Sequence, residues 1–351
     1  MEYVHGGDIY SEEGLMDFSV NINPFGPGER VIEAVRSAAA EIGAYPDSRC
    51  RKLRNALAME LQVPPECLIF GNGAADILFS LVLAKKPKRA LVTAPAFAEY
   101  EQALRSVGCE VLYHELKEEE NFCLTEEILP CLDKGFDMVF LCSPDNPSGA
   151  VIPKPLLKRI LQKCEKENIL MVLDECFWEF AFADAKETMQ EEAIASKYCF
   201  LLRAFTKMHA MPGLRLGYGI CADEDLLENM QEVRQPWSVS NVAQAAGIAA
   251  IGDKERAAET RLYVQEERER IRGILTKLGI HCYPSSANYI LMKSEKDLYK
   301  FLKKRGYLIR NCNNYRGLGE GYYRIAVRKR EDNEKLLAAV TEICKEELAD
   351  G

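Results

Sequence analysis

Short apolar runs alternate with stretches of helical period through the first two thirds of the chain. The runs lie in IFGNG from Ile69, RALVTAPAF from Arg89, GCEVLYHEL from Gly108, DMVFLCSP from Asp137, ILMVLDE from Ile169, YCFLLRAF from Tyr198 and GYGICA from Gly217. Strand-length apolar runs separated by helices predict an α/β domain built on a mostly parallel sheet. A helix-rich stretch follows from Ser238 to about Lys277. Its charge-dense part, ETRLYVQEERERIRG at Glu259 to Gly273, reads as a long helix with one solvated face that links two domains. Beyond it, IHCYPSSANYILMK, LIRNCNN and YYRIAVR predict short strands, and a final helix is expected from Glu331 to about Glu347. No internal repeat or low-complexity tract interrupts the pattern.

Composition narrows the class. The 351 residues are 48% hydrophobic, enough to bury a large core in two domains. No apolar stretch approaches the length of a membrane span, and MEYVHGGDIYSEEG lacks the basic start and apolar centre of a signal peptide, so a cytoplasmic enzyme is expected. The 13 cysteines show no CxxC pair, which supports neither a disulfide framework nor a zinc site, and no metal is expected. A formal net charge of −9 argues against nucleic acid or an anionic membrane as partner. An anionic substrate would then need a local cluster of arginines.

Candidate chemistry centres on Lys207 in AFTKMHAMPGLRLGY, Ala204 to Tyr218, where Arg215 follows on the far side of a Pro-Gly turn. A lysine amine becomes a covalent catalyst for carbonyl compounds when burial and nearby cations lower its pKa. Two basic residues flanking a turn are also common on solvated loops, and three further segments change the balance. Gly71-Asn72-Gly73 sits between an apolar run and a helical pattern, so backbone N–H groups near Gly73, Ala74 and Ala75 could cup a phosphate. An ordinary strand-to-helix turn would use the same letters. Asp174 ends the run ILMVLD, either as a carboxylate in the crevice at the strand's carboxyl end or as a helix cap. Asn146 lies in the turn SPDNPSG after another strand, a composition that also suits a plain turn. Each of these parts is expected to follow a strand-like run.

Taken in this order, the segments resemble the fold-type I pyridoxal phosphate enzymes of the aspartate aminotransferase superfamily. The resemblance runs through HGGDIY at His5, DFSVNINPFG at Asp17, YPD at Tyr45, APAFAEY at Ala94, DECFWEF, PGLRLGY, QPWSVS at Gln235 and the tail from Asn311 to Leu337. Within the superfamily the chain is most similar to threonine-phosphate decarboxylases of cobalamin biosynthesis, relatives of the histidinol-phosphate aminotransferases. The resemblance implies a mostly parallel seven-stranded sheet flanked by helices in a large domain over residues 31–250. A smaller α/β domain over 251–351 would pack with an N-terminal segment, 1–30.

It also implies pyridoxal 5'-phosphate as cofactor and gives residues roles. Lys207 would carry the cofactor, Asp174 would pair with its ring nitrogen, Asn146 with its phenolic oxygen, and Phe97 would stack on its ring. Gly73, Ala74, Ala75, Thr206 and Arg215 would surround the phosphate, and Tyr45 would reach the phosphate of the neighbouring subunit in a homodimer. Arg324 would grip a substrate carboxylate, with Arg310, Asn23 and His5 completing the anion pocket. Period-two alternation puts Arg328 on the same strand face as Arg324, where it also reads as a surface residue.

Two positions depart from the superfamily's pattern. Ala204 stands where a serine or threonine usually meets the phosphate, a loss of about 0.5–1.5 kcal/mol that Thr206 or Arg203 could offset. Phe177 stands where aminotransferases place a tyrosine, a difference shared with the decarboxylases. The implied reaction is decarboxylation of O-phospho-L-threonine to 1-amino-2-propanol O-2-phosphate. The alternatives are histidinol-phosphate transamination, O-phosphoserine decarboxylation, and a non-catalytic pyridoxal phosphate scaffold.

Overall fold

The structure, a computed structural model, describes residues 5–11, 14–133, 135–181 and 188–350. Thirteen strands are present among the described residues. They are β1 (Met16–Asp17), β2 (Leu68–Gly71), β3 (Arg89–Ala94), β4 (Glu110–Glu115), β5 (Met138–Cys142), β6 (Leu170–Asp174) and β7 (Cys199–Ala204), then β8 (Gly217–Ile220), β9 (His281–Cys282), β10 (Tyr289–Lys293), β11 (Tyr307–Leu308), β12 (Arg310–Asn311) and β13 (Tyr322–Ala326).

Seven strands form one sheet in the order β2-β8-β7-β6-β5-β3-β4. The pairings β3–β4, β3–β5, β5–β6 and β6–β7 are parallel, and β8 runs antiparallel to both β2 and β7. Every residue of β5, β6 and β7 is buried, as expected of strands covered on both faces. Successive residues divide between two cores. Val139, Leu141, Met171, Leu173 and Leu201 face one layer, while Met138, Phe140, Leu170, Val172, Phe200 and Leu202 face the other. Edge strand β4 is only partly buried, which is why its sequence is mixed.

A second sheet has the order β12-β13-β10-β9, and its core joins Ile290, Met292, Tyr323 and Ile325 to Leu336, Leu337 and Val340 of the final helix Arg330–Asp350. The amino-terminal segment belongs with this sheet's surroundings, because β1 pairs in parallel with β11 and Phe18 lies in the same core. The 24-residue helix Lys254–Lys277, ~36 Å long at 1.5 Å per residue, bridges the two parts. Val264 packs with Phe177 and Met208 near the large sheet, whereas Ile271 and Leu275 pack in the core of the small one.

Arg328 does not share a strand with Arg324, since β13 stops at Ala326. The Arg328 N–H donates to Asn333 Oδ1, which turns the chain into the last helix, and its guanidinium bonds Asp332 and the Asp17 carbonyl.

Candidate active site

The carboxyl ends of the parallel strands open into a cavity of about 880 Å³. Such a crevice is where open α/β sheets receive ligands. Around it stand His5, Ala74, Ala75, Phe97, Asn146, Asp174, Thr206, Lys207, Arg215, Arg310 and Arg324, brought together from several loops and strand ends.

The cup forms where β2 ends at Gly71 and the helix Ala74–Lys85 begins. Gly73 adopts φ +85°, and a Cβ there would stand 2.5 Å from Arg215 Nη2, so only glycine lets the guanidinium close over the turn. The first-turn N–H groups of the helix meet this arginine at the cavity wall, a cationic corner suited to an anion. Arg215 precedes β8 instead of following a strand. It still reaches the site because β8 is antiparallel, and Gly217 at its start pairs with both Gly71 and Ala204 at the other strands' ends.

Asp174 is the last residue of β6. Its Oδ2 accepts from Tyr100 Oη at 2.6 Å and its Oδ1 from the Cys176 N–H at 2.8 Å. Burial pushes its pKa above the ordinary carboxylate value, although both donors oppose that shift. Lys207 follows β7. Burial, then the charges of Arg324 and Arg215, lower its amine to about 8. Its Nζ stands 5.5 Å from the Phe177 ring centroid.

Asn146 is held by its neighbour. The buried Asp145 carboxyl accepts from the Ser148 N–H at 3.1 Å and the Ser148 hydroxyl at 2.6 Å, and this closes the turn after β5. Asn146 Oδ1 then accepts from Arg324 Nη1, while Arg324 Nη2 donates to the Ser19 carbonyl at 3.0 Å. Arg310 donates from Nη2 to Asn314 Oδ1 at 2.8 Å, with its guanidinium 5.2 Å from the centroid of Tyr315.

Two expected positions lie elsewhere. Asn23 is buried away from the cavity and its amide is consumed structurally. Nδ2 donates to the Met208 carbonyl at 2.7 Å and to Thr260 Oγ1 at 3.1 Å, while Oδ1 accepts from the Phe25 N–H at 2.9 Å. Its own N–H donates to the Lys207 carbonyl at 3.0 Å, so Asn23 latches the lysine loop from behind instead of meeting an anion. Tyr45 is 80% exposed and stacks on Trp237 at 4.5 Å between centroids, outside this chain's cavity. Arg203 cannot offset Ala204, because it points to the other side of β7. Its Nε and Nη2 both donate to Glu175 Oε2, at 2.9 and 2.7 Å. Thr206 does line the cavity.

Sequence reasoning passes over Tyr100, Glu99 and Asn21. Tyr100 and Glu99 sit in APAFAEY, on the helix that opens directly after Phe97, and that nearness to Phe97 is the available signal. Asn21 is buried at the cavity wall, and its Oδ1 has no partner.

The family model for aminotransferase class I and II matches residues 13–340. The chain belongs to that family. Among its relatives, the threonine-phosphate decarboxylase of Salmonella typhimurium is 38% identical over 97% of this chain and 96% of its own length. The histidinol-phosphate aminotransferase of Methanosphaera stadtmanae is 31% identical over 95% of this chain and 91% of its own. Among solved structures, the histidinol-phosphate aminotransferase of Clostridium acetobutylicum superposes with a TM-score of 0.88 at 30% identity, covering 95% of this chain and all (100%) of that one. The fold of this family member is thus the α/β arrangement expected from the alternation of runs. Among the described residues no helix is long and apolar enough to cross a membrane, and no cluster of three or more His, Cys, Asp or Glu could hold a metal ion.

Proposed function

We propose that this protein is a pyridoxal phosphate-dependent decarboxylase of O-phospho-L-threonine, releasing carbon dioxide and 1-amino-2-propanol O-2-phosphate for cobalamin biosynthesis. The observation that carries this reading is the 38% identity to a threonine-phosphate decarboxylase across nearly the whole chain, against 31% to a histidinol-phosphate aminotransferase.

The site's residues fit the cofactor. A glycine that admits Arg215, helix N–H groups at Ala74 and Ala75, a buried carboxylate and a buried amine lowered to about 8 surround one cavity. Lys207 would hold the cofactor's aldehyde, Asp174 its ring nitrogen, and Asn146 its phenolic oxygen. Gly73, Ala74, Ala75, Thr206 and Arg215 would hold its phosphate, and Phe97 would lie against the ring. When bound, pyridoxal phosphate supplies an electron sink for the pair left at the substrate Cα as the carboxylate departs.

The chain's own residues do the rest. Arg324, fixed between Asn146 and the Ser19 carbonyl, would grip the carboxylate and set which Cα bond breaks. Arg310 and His5 would face the second anion. Lys207, displaced by substrate, would return a proton to Cα. Asp174, braced by Tyr100 and Cys176, would keep its negative charge against the ring nitrogen.

A cytoplasmic homodimer is part of the reading. The exposure of Tyr45 beside Trp237, with Ile42 also 71% exposed, supports a partner surface there, and Tyr45 would reach the neighbouring subunit's cofactor phosphate. The separate core around the second sheet supports a large domain over 31–250 and a small one over 251–351 that is joined by residues 1–30.

The test offers the holoenzyme O-phospho-L-threonine, O-phospho-L-serine, or histidinol phosphate with 2-oxoglutarate, and follows carbon dioxide and glutamate separately. Carbon dioxide from phosphothreonine with little glutamate is expected. Glutamate from histidinol phosphate without carbon dioxide from phosphothreonine would overturn the reading. Sedimentation of a fully active monomer would remove the shared site.

A further inference from the structure

One carboxyl in the cavity wall has no part in the chemistry above. Glu99, in the first turn of the helix Ala98–Ser106, is largely buried, and its Oε2 lacks any hydrogen-bond partner. Its Oε1 lies 3.3 Å from His5 Nε2. An unpartnered buried carboxylate oxygen carries a cost of roughly 1–3 kcal/mol, which falls on the ionised form and favours a protonated carboxyl in the cavity wall.

The His5 side is held in place. The Gly7 N–H donates to Ser19 Oγ at 2.7 Å, and a Cβ on Gly6 would stand 2.6 Å from the Ser19 carbonyl oxygen, so the paired glycines press this segment onto the chain beside Arg324's anchor. The His5 ring is then 6.5 Å from that of Phe97. The charged groups that act on Glu99 from the packed elements are Lys207 after β7, Arg310 on β12, Asp174 at the end of β6 and His5 itself.

We propose that Glu99, with its carboxyl 3.3 Å from His5, is a proton-holding receptor for the substrate's anionic group at the Arg310 end of the cavity, so that anion binding takes up one proton onto the Glu99 carboxyl. This rests on the reading that the substrate carries two anions. A carboxylate left ionised beside Arg310 would repel the anion that the arginine attracts, whereas a carboxylic acid, its proton on the sealed Oε2, carries no such charge. With the proton on Oε2, the Oε1 facing His5 Nε2 is left as an acceptor.

The protonation equilibrium stands where such a device would be useful. Burial raises the Glu99 carboxyl to about 7, and burial together with Arg310 keeps His5 below the ordinary imidazole value. Below pH 7 the acid is already formed and the anion binds without proton uptake. Above pH 7 the carboxylate predominates, and each bound anion must bring one proton in, so affinity falls about tenfold per pH unit.

Inorganic sulfate is the probe, because it does not titrate near neutrality, and the holoenzyme is used so that the cofactor's own phosphate site is filled. Calorimetric titration at pH 8 in two buffers of different ionisation enthalpy counts protons. The expected result is about one proton taken up per sulfate at pH 8, close to none at pH 6, and loss of the uptake in Glu99→Gln, whose amide is uncharged at every pH. Glu99→Gln should also flatten the tenfold-per-unit fall in sulfate affinity above pH 7. Uptake that persists in Glu99→Gln would assign the proton to another group, and buffer-independent binding, or no sulfate binding at pH 6, would equally overturn the proposal. A holoenzyme that shows the Glu99-dependent proton but releases no carbon dioxide from phosphothreonine would instead refute the decarboxylase reading and leave this receptor standing.

Discussion

Replacing Tyr100 with phenylalanine removes a single hydroxyl that makes a 2.6 Å hydrogen bond to Asp174 Oδ2. The ring itself would stay, stacked on Phe140 at 5.5 Å between centroids and edge-on to Phe97, so little repacking is expected. A hydrogen bond to a charged acceptor is worth about 1.5–3 kcal/mol. Its loss penalises only the ionised form of Asp174, and at 1.36 kcal/mol per pKa unit it lifts the carboxyl by about 1–2 units. The shift adds to the one burial already causes, and only the Cys176 N–H then remains as a neutral donor. Asp174 would therefore lose its negative charge at a higher pH, and the acid limb of the kcat profile should move upward by the same 1–2 units. If the whole hydrogen-bond energy acts in the reaction, turnover on the plateau falls about 10- to 150-fold. The assay is carbon dioxide release from O-phospho-L-threonine between pH 5 and 9, with thermal melts of both proteins to show that the fold is kept. An unmoved acid limb with turnover within about twofold of the parent would refute the claim that Tyr100 braces the Asp174 charge.

Lys207 should capture pyridoxal phosphate at a rate that rises with pH only to about 8 and then levels, because its amine is lowered to about that value. Stopped-flow absorbance of apoenzyme mixed with cofactor checks this, and a rate still climbing at pH 10 would contradict it; borohydride should fix the cofactor on this residue and not on Lys207→Ala protein. Arg324→Lys keeps the charge but not the planar fork, so kcat/KM should fall about 10- to 100-fold, and Arg324→Ala should fall further. Equal losses in the two variants would show that charge alone matters there. Asn23→Ala removes three side-chain hydrogen bonds, two of them buried and one of those to the lysine loop, and should cost about 2–4 kcal/mol in urea unfolding of the apoprotein. A loss under about 0.5 kcal/mol would show that the latch is slack.

How far the pattern of letters can be read depends on whether a residue's role is local. β5, β6 and β7 are legible because strands buried on both faces must be apolar throughout, and a polar letter at such a strand's end marks the crevice. That is why the letters alone put Asn146, Asp174 and Lys207 in order, each after its own apolar run. Asn23 cannot be placed in this way. Its partners Met208 and Thr260 are 185 and 237 residues away, and an asparagine that satisfies buried backbone looks the same in sequence as one that meets a ligand. Arg203 fails for a related reason, since alternation along β7 sends Arg203 and Ala204 to opposite faces and the arginine's counter-charge, Glu175, lies on the neighbouring strand's loop. Arg215 is legible from its spacing to Lys207. The reason the spacing works is topological, because only an antiparallel β8 returns the chain to the edge where Lys207 stands.

The way Arg324 is held explains how one arginine can be both structural and available. Among the described residues it makes no ion pair, and its anchors are neutral: Asn146 Oδ1 and the phenol of Tyr315 at Nη1, and the Ser19 carbonyl at Nη2. Neutral acceptors fix the plane of the guanidinium without cancelling its charge. A carboxylate partner in the same place would have fixed it as well and left nothing for a substrate. The unneutralised charge is felt at Lys207, where Arg324 is the largest electrostatic contributor to the lowered amine. Arg324 Nε, buried and without a partner, is the donor still open. An arriving carboxylate that takes Nε and the second hydrogen of Nη2 would meet the fork without displacing the anchors, because Nη2 carries two hydrogens and gives one to the Ser19 carbonyl. The same anchors join β13 of the small sheet, the turn after β5 of the large one and the amino-terminal segment at Ser19. A carboxylate bound at Arg324 would therefore rest on a residue tied to all three, and a substrate lacking that carboxylate would forgo this contact.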